Sequence, residues 1–276
     1  MKPNQYFYIS FLLLLLFGFS IRPNIISTRD LSFKKADVIN SNKMPFKTGE
    51  KLSYILHYGI FNAGVAEIII KPTSKVFYNN RNALNMVGQG RTTGAVDMVF
   101  SVRDHYETYL DSKTLEPLQF IRRVDEGGYL ISQDYSFNPD SNIVITQDNK
   151  RFDVPEGVQD MISAFYYART LNFDTANFGD VYEIPAFVDN EIFYLKLRFA
   201  GRETIKLRKG KFRCLKFNPV VQEGRIFKTD EDLIVWVSDD RNKIPILAES
   251  KILVGSIKME LSGYEGLAHA ISKADD

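Results

Sequence analysis

Apolar and polar residues alternate along this chain from Gly49 almost to its end. In the first such run Leu52, Tyr54, Leu56 and Tyr58 fall on one side and Ser53, His57 and Gly59 on the other. This period of two belongs to a strand with one buried face. Comparable runs span Met98–Leu110, Leu118–Val124, Tyr129–Phe137, Glu191–Phe199, Leu233–Ser238, Ile246–Val254 and Ser256–Leu261. In Glu191–Phe199, Phe193, Leu195, Leu197 and Phe199 share a face while Tyr194, Lys196 and Arg198 take the other, as in a half-buried antiparallel strand. Turn residues at Asp125-Glu126-Gly127-Gly128, Asn138-Pro139-Asp140, Gln147-Asp148-Asn149-Lys150 and Arg208-Lys209-Gly210 join these runs into hairpins of a meander. Gly88-Gln89-Gly90 reads as a loop between strands. It is not a phosphate loop, because no Gly-Lys-Ser/Thr element closes it.

One segment changes period. In Val158–Leu171, Met161, Phe165 (with Ala164 beside it), Ala168 and Leu171 recur at helical spacing. Pro155 and Gly157 precede the run, Asp160 sits where a carboxylate favours a helix N-terminus, and Arg169 lies near the other end. The strands on its two sides echo each other. Tyr109-Leu110-Asp111-Ser112-Lys113-Thr114-Leu115-Glu116-Pro117-Leu118 aligns without a gap on Val237-Ser238-Asp239-Asp240-Arg241-Asn242-Lys243-Ile244-Pro245-Ile246. Chance recurrence of acidic turns before proline explains this as well as duplication does. The expected fold is mainly β: large antiparallel curved sheets or an open barrel, with one amphipathic helix over 158–171 packed on it. If the echo is a duplication, two similar halves face each other across the helix and leave a cleft for a ligand.

The N-terminus follows neither period. Lys2 precedes an apolar run from Tyr6 to Phe19, and Gly18 and Ser20 stand before a polar segment, which is the make-up of a secretory signal with cleavage near Ser20. The run is shorter than the about 20 residues that a spanning helix needs. The absence of an Ala-x-Ala site, with Arg22 following closely, keeps an uncleaved inner-membrane anchor as the alternative. The only cysteine is Cys214, so the signal offers no thiol for lipid attachment. The expected organisation is a signal peptide over 1–20, a polar arm over 21–48, a single β domain over 49–267 and a tail over 268–276, placed in the periplasm or secreted.

Composition narrows the partners. With 45% hydrophobic and 13% aromatic residues the chain can bury a sizeable core. Its 35 basic residues balance 34 acidic ones, and no basic block interleaved with aromatics draws a nucleic acid. A lone cysteine forms no intramolecular disulfide, and Cys214, alternating with Phe212, reads as a buried inert thiol.

The segments Gly49-Glu50-Lys51-Leu52-Ser53-Tyr54, Ala63-Gly64-Val65-Ala66, Val102-Arg103-Asp104, Leu115-Glu116-Pro117, Asp160-Met161-Ile162-Ser163-Ala164, Tyr167-Ala168-Arg169 and Trp236-Val237-Ser238-Asp239-Asp240 with Ile244-Pro245 occur in this order. In them the chain resembles the bacterial exported "domain of unknown function 3108" family, from Gly49 to about Leu267. The resemblance implies an exported, β-rich envelope protein and supplies no catalytic residue.

Charge out of place marks the candidate chemistry. Asp104 falls on the apolar face of its strand with Val102, Tyr106 and Leu110, where an unpaired carboxylate must find a partner or raise its pKa. Arg169 is the expected partner, as a structural ion pair or as an anchor inside a pocket. Trp236 lies on a strand with apolar residues on both faces, so that strand is expected in the middle of the architecture. Asp104, Tyr106, Arg169 and Trp236 are therefore the candidate ligand-contacting residues. His57, His105 and His269 lack metal-pair spacing, although His105 and Glu107 share a face. No Gly-x-Ser-x-Gly elbow occurs, and no cofactor is expected. The leading expectation is a non-catalytic module binding an apolar or amphiphilic, lipid-like ligand or a peptide, with peripheral membrane contact. The alternatives are an assembly factor that contacts an envelope protein, and a hydrolase using Asp104, His105, Glu107, Asp160 and Arg169.

Overall fold

The computed structural model describes residues 44–219, 233–251 and 255–274. The expected signal peptide, most of the polar arm and the last three residues of the expected strand Ile246–Val254 lie outside the described residues. Among the described residues no helix is long and apolar enough to cross a membrane.

The alternating runs become one sheet. Its first group of strands is β1 (Lys51–Tyr58), β2 (Phe61–Lys71), β3 (Val76–Phe77), β4 (Arg81–Thr92), β5 (Val102–Asp111), β6 (Pro117–Glu126), β7 (Tyr129–Asn138), β8 (Ile143–Thr146) and β9 (Arg151–Asp153). The second is β10 (Val181–Val188), β11 (Glu191–Leu207), β12 (Gly210–Pro219), β13 (Leu233–Ser238), β14 (Pro245–Lys251) and β15 (Ser256–Glu265). The sheet runs β10-β11-β12-β13-β14-β15-β1-β2-β4-β5-β6-β7-β8-β9, with β3 on β4. Its pairings are antiparallel, and Lys51 of β1 stands opposite Glu265 of β15. The protein is thus mainly β, a single open curved antiparallel sheet whose free edges are β9 and β10. Both edges are guarded, since exposed ladder groups invite unwanted pairing. β9 is only three residues long, and Gln159 donates to Pro185 O and accepts from Phe187 N of β10.

The segment between these edges forms the long helix, Met161–Thr170, within the expected 158–171. Asp160 caps it: its Oδ1 accepts from the Ile162 and Ser163 amides at 2.8 Å each, and Ser163 Oγ accepts from the Asp160 amide, a reciprocal capping box. The helix is not amphipathic as expected. Met161 through Tyr166, Arg169 and Thr170 are all buried. Met161, Ile162, Phe165 and Tyr166 join the larger core with Leu52, Ile68, Met86 and Tyr106. Ala164 and Leu171 join a second cluster with Tyr182, Ile184, Leu195 and Phe217. A helix covered on nearly every side is a core element.

Gly88-Gln89-Gly90 is not a loop but part of β4. The reason is the helix: a Cβ on Gly88 would lie 3.0 Å from Ile162 Cδ1, so glycine permits the close approach. The expected strand start at Met98 is likewise a short helix, Gly94–Val99, and β5 begins at Val102. Gly94 has φ +59°, and Asp97 ties the segment down through Thr92 and Arg103. The chance alternation of Met98, Phe100 and Val102 mimicked a strand.

The two echoed turns share their geometry. Leu115 and Lys243 both have positive φ, and Pro117 and Pro245 open β6 and β14. Asp111 Oδ1 accepts from the Lys113 and Thr114 amides, and Asp240 Oδ1 from those of Asn242 and Lys243. The second turn holds one more residue between its paired ends, Val237 and Pro245, than the first does between Leu110 and Pro117.

Candidate functional site

Register places two different sets of polar residues on the two faces of β1–β7. On the helix side, Tyr106 of β5 stands opposite Arg122 of β6, and Val102 opposite Glu126. Asp104 lies between them on the same face, and Asp104, Tyr106, Arg122 and Glu126 are all buried. Arg122 Nη1 donates to Asp189 Oδ1 at 3.0 Å and to Gln133 Oε1 at 3.3 Å, and its guanidinium lies 5.6 Å from the Tyr106 ring centre. The Asp104 carboxyl shares this buried site with the Glu126 carboxyl, and the Tyr106 hydroxyl with the Arg122 guanidinium. Burial, reinforced by the Glu126 carboxyl, pushes the Asp104 pKa up to about 8, against the pull of Arg122. Burial thus favours the protonated form of this carboxyl.

On the outer face a row of polar side chains crosses six strands in register: Ser53, Glu67, Gln89, His105, Arg123 and Ser132. Ser53 Oγ donates to Glu67 at 3.2 Å. His105 Nδ1 faces Gln89 Nε2 at 3.2 Å and its Nε2 faces Glu107 at 3.3 Å, a pattern that fits Nδ1 accepting and Nε2–H donating. Arg123 Nη2 grips both oxygens of Asp134 at 2.9 Å. This row floors a groove of about 850 Å³, whose upper wall includes Val65, Arg91 and Leu130. Alternation along each strand turns Tyr54 and Asp104 away from it, toward the core.

The four residues singled out in the sequence do not form one site. Asp104 and Tyr106 share the inner polar cluster. Arg169 does not pair with Asp104. Its Nη1 and Nη2 donate to Glu50 at 2.6 and 2.8 Å, its Nε to Asn242 O at 2.8 Å and its Nη2 to Pro45 O at 3.1 Å. The guanidinium also stacks near Phe46, Phe165 and Tyr166. Its reach from the helix C-terminus is toward the start of β1, whereas Asp104 lies near the start of β5. Trp236, on β13, donates from Nε1 to Glu203 and lies under the Lys216 ammonium. Arg122, Glu126 and Glu50 were missed. Each carried the signal that marked Asp104, a charge in phase with an apolar strand face: Arg122 with Phe120 and Val124, Glu50 with Leu52 and Tyr54.

The five candidate hydrolase residues are likewise dispersed. His105 and Glu107 face outward, Asp160 is buried as the helix cap with Thr108 Oγ1 donating to it at 2.8 Å, and Arg169 is held by Glu50. Cys214 is buried and its thiol is pushed up to about 12, chiefly by that burial. Among the described residues no group of three or more His, Cys, Asp or Glu is placed to hold a metal ion.

A family described as "Protein of unknown function (DUF3108)" matches residues 53–262. The chain belongs to this family. No curated protein matches it. Among solved structures, the DUF3108 chain is similar to a β-barrel-like protein of domain of unknown function DUF1849 from Brucella abortus, with 12% identity, a TM-score of 0.52, and coverage of 80% of this chain and 98% of that one. It is more distantly similar to a protein from Bacteroides fragilis described as exported with a YmcC-like fold (11% identity, TM-score 0.32, 80% and 98% covered). A protein from Parabacteroides distasonis described as a lipoprotein gives 12% identity and a TM-score of 0.31, with 81% and 99% covered. The first likeness shows a shared fold and no more.

Proposed function

We propose that this DUF3108 protein is exported and binds an amphiphilic ligand, lipid-like or an extended peptide, in the outer groove without chemical conversion. The groove carries the reading. Its volume, about 850 Å³, falls in the range of ligand sites, on the order of 300–1,000 Å³. Its floor of Gln89, His105 and Arg123 is polar, the next row carries Arg91, Arg103 and Asp125, and Val65 and Leu130 stand at the two ends of that row, so charged and apolar groups both line the groove for an amphiphilic ligand. Export rests on the charged start and apolar run from Tyr6 to Phe19. Where the long helix crosses β4, Ile162 packs directly on Gly88, which favours the outer face over the inner one.

Native mass spectrometry of the protein purified from its own envelope tests this. A retained amphiphile, lost from a Gln89→Leu, Arg123→Ala variant, is the expected result. A ligand-free protein, or retention unchanged in the variant, would overturn it.

A further inference from the structure

Three neighbouring turns at one end of the sheet hold apolar side chains out in solvent. The β1–β2 turn presents Ile60 and Phe61, 90% and 64% exposed. The short helix between β4 and β5 presents Met98 and Val99, 89% and 88% exposed, and the β6–β7 turn presents Leu130 at 71%. These strands are consecutive in the sheet, so at about 4.8 Å per strand the tips recur roughly every 10 Å along one rim. Opposite-end turns include Ser112-Lys113, Pro139-Asp140-Ser141 and Arg208-Lys209, and the β2–β4 connection there exposes Val76 at 55%.

The charges around the rim are not balanced in use. Asp97 is taken by Arg103 and Thr92, and Asp125 accepts from the Gly128 amide. Arg91, next to the end of β4, and Lys251, at the end of β14, are exposed and make no ion pair among the described residues. Among the described residues, Arg91 and Lys251 stand against the Asp125 carboxylate, which leaves the side-chain charge beside the tips positive by one.

We propose that this rim seats on a lipid bilayer bearing anionic headgroups. The apolar tips enter the acyl boundary, and Arg91 and Lys251 meet headgroup phosphates. Spacing decides for lipid over a protein partner. Apolar tips about 10 Å apart in a single row give only a narrow floor for a folded partner, whereas fluid hydrocarbon receives each tip separately. The groove's upper row of Val65, Arg91 and Leu130 leads into the same rim, but the docking stands whether or not the groove holds a ligand.

The test uses the full chain with a fluorophore on Ala95→Cys in the short helix or on Ser112→Cys at the opposite end; buried Cys214 leaves labelling selective. The probe is vesicles of phosphatidylglycerol and phosphatidylethanolamine that contain a quencher-bearing lipid. Quenching at position 95 and not at 112 is expected. Ile60→Ser with Phe61→Ser should lower vesicle partitioning about tenfold or more, and Arg91→Glu with Lys251→Glu should weaken it on anionic vesicles only. Equal quenching at both positions, as attachment through the N-terminal run alone would give, overturns the proposal. So do partitioning unchanged by the tip substitutions, and a rim that cross-links to a protein rather than to lipid.

Discussion

Arg169, near the end of the long helix, grips both carboxylate oxygens of Glu50, 119 positions earlier in the chain and just ahead of β1. Both side chains are buried. The same guanidinium holds Asn242 O, and Asn242 in turn bonds the backbone of His269 and Ala270. One ion pair thus fastens the helix, the start of the domain, the β13–β14 turn and the C-terminal segment.

Breaking such a pair from one side strands a charge in the core, which costs more than losing the pair altogether. Arg169→Met should destabilise the protein by about 3–5 kcal/mol, read from urea denaturation midpoints. Adding Glu50→Leu should recover much of the loss. A double variant no more stable than Arg169→Met would contradict this account.

The helix also depends on Gly88. A Gly88→Val substitution places carbon against Ile162 Cδ1 and should cost about 1–3 kcal/mol by overpacking. In an Ile162→Ala background the same substitution should cost clearly less, so the pair is non-additive. Additive losses would mean that helix and sheet do not meet there.

The stability contributed by Asp104 and Asp160 should fall as pH rises from about 4 toward 8. Burial raises Asp104 to about 8, with Glu126 adding to the effect, and raises Asp160 to about 7. The folded state therefore holds protons that the unfolded chain, titrating near about 4, has already released. The stability these groups contribute is complete below about 4 and is lost as pH climbs through their folded values, at up to about 1.4 kcal/mol per pH unit for each group. Asp104→Asn should flatten its share of that decline and raise stability at pH 8. Unfolding midpoints measured from pH 5 to 8 that track the parent protein would refute the assignment.

Asp160 has a second role that separates charge from capping. Asp160→Asn keeps an acceptor for the Ile162 and Ser163 amides, while Asp160→Ala removes it and leaves Thr108 Oγ1 without its acceptor. The alanine variant should lose about 0.5–2 kcal/mol relative to asparagine, measured at a pH where both fold. Equal stability of the two would exclude the cap as a source of helix stability.

Much of this fold was legible in the alternation itself, because an antiparallel strand with one buried face writes its register into the order of its residues. The long helix, the hairpin turns and the echoed turns at Asp111 and Asp240 all left local signals. The failures share a cause. Gly88 looked like a loop residue because its reason, Ile162, lies 74 positions away in sequence. Arg169 was matched to Asp104 because both charges were conspicuous, whereas its partner Glu50 sat beside the boundary between the expected polar arm and the β domain. The groove could not be read at all, since its floor is assembled one residue per strand from Ser53 to Ser132, and only the pairing registers bring those residues into line.

The pairing of β1 with β15 bears on how the chain comes to be folded. β1 can join β2 as a local hairpin, yet the mate of its other side, β15, lies about two hundred residues further along the chain. Contacts of such long sequence separation form late. Until β15 is in place the sheet keeps an extra open edge at β1, and the last strand of the chain is the one that joins the two groups of strands in the middle.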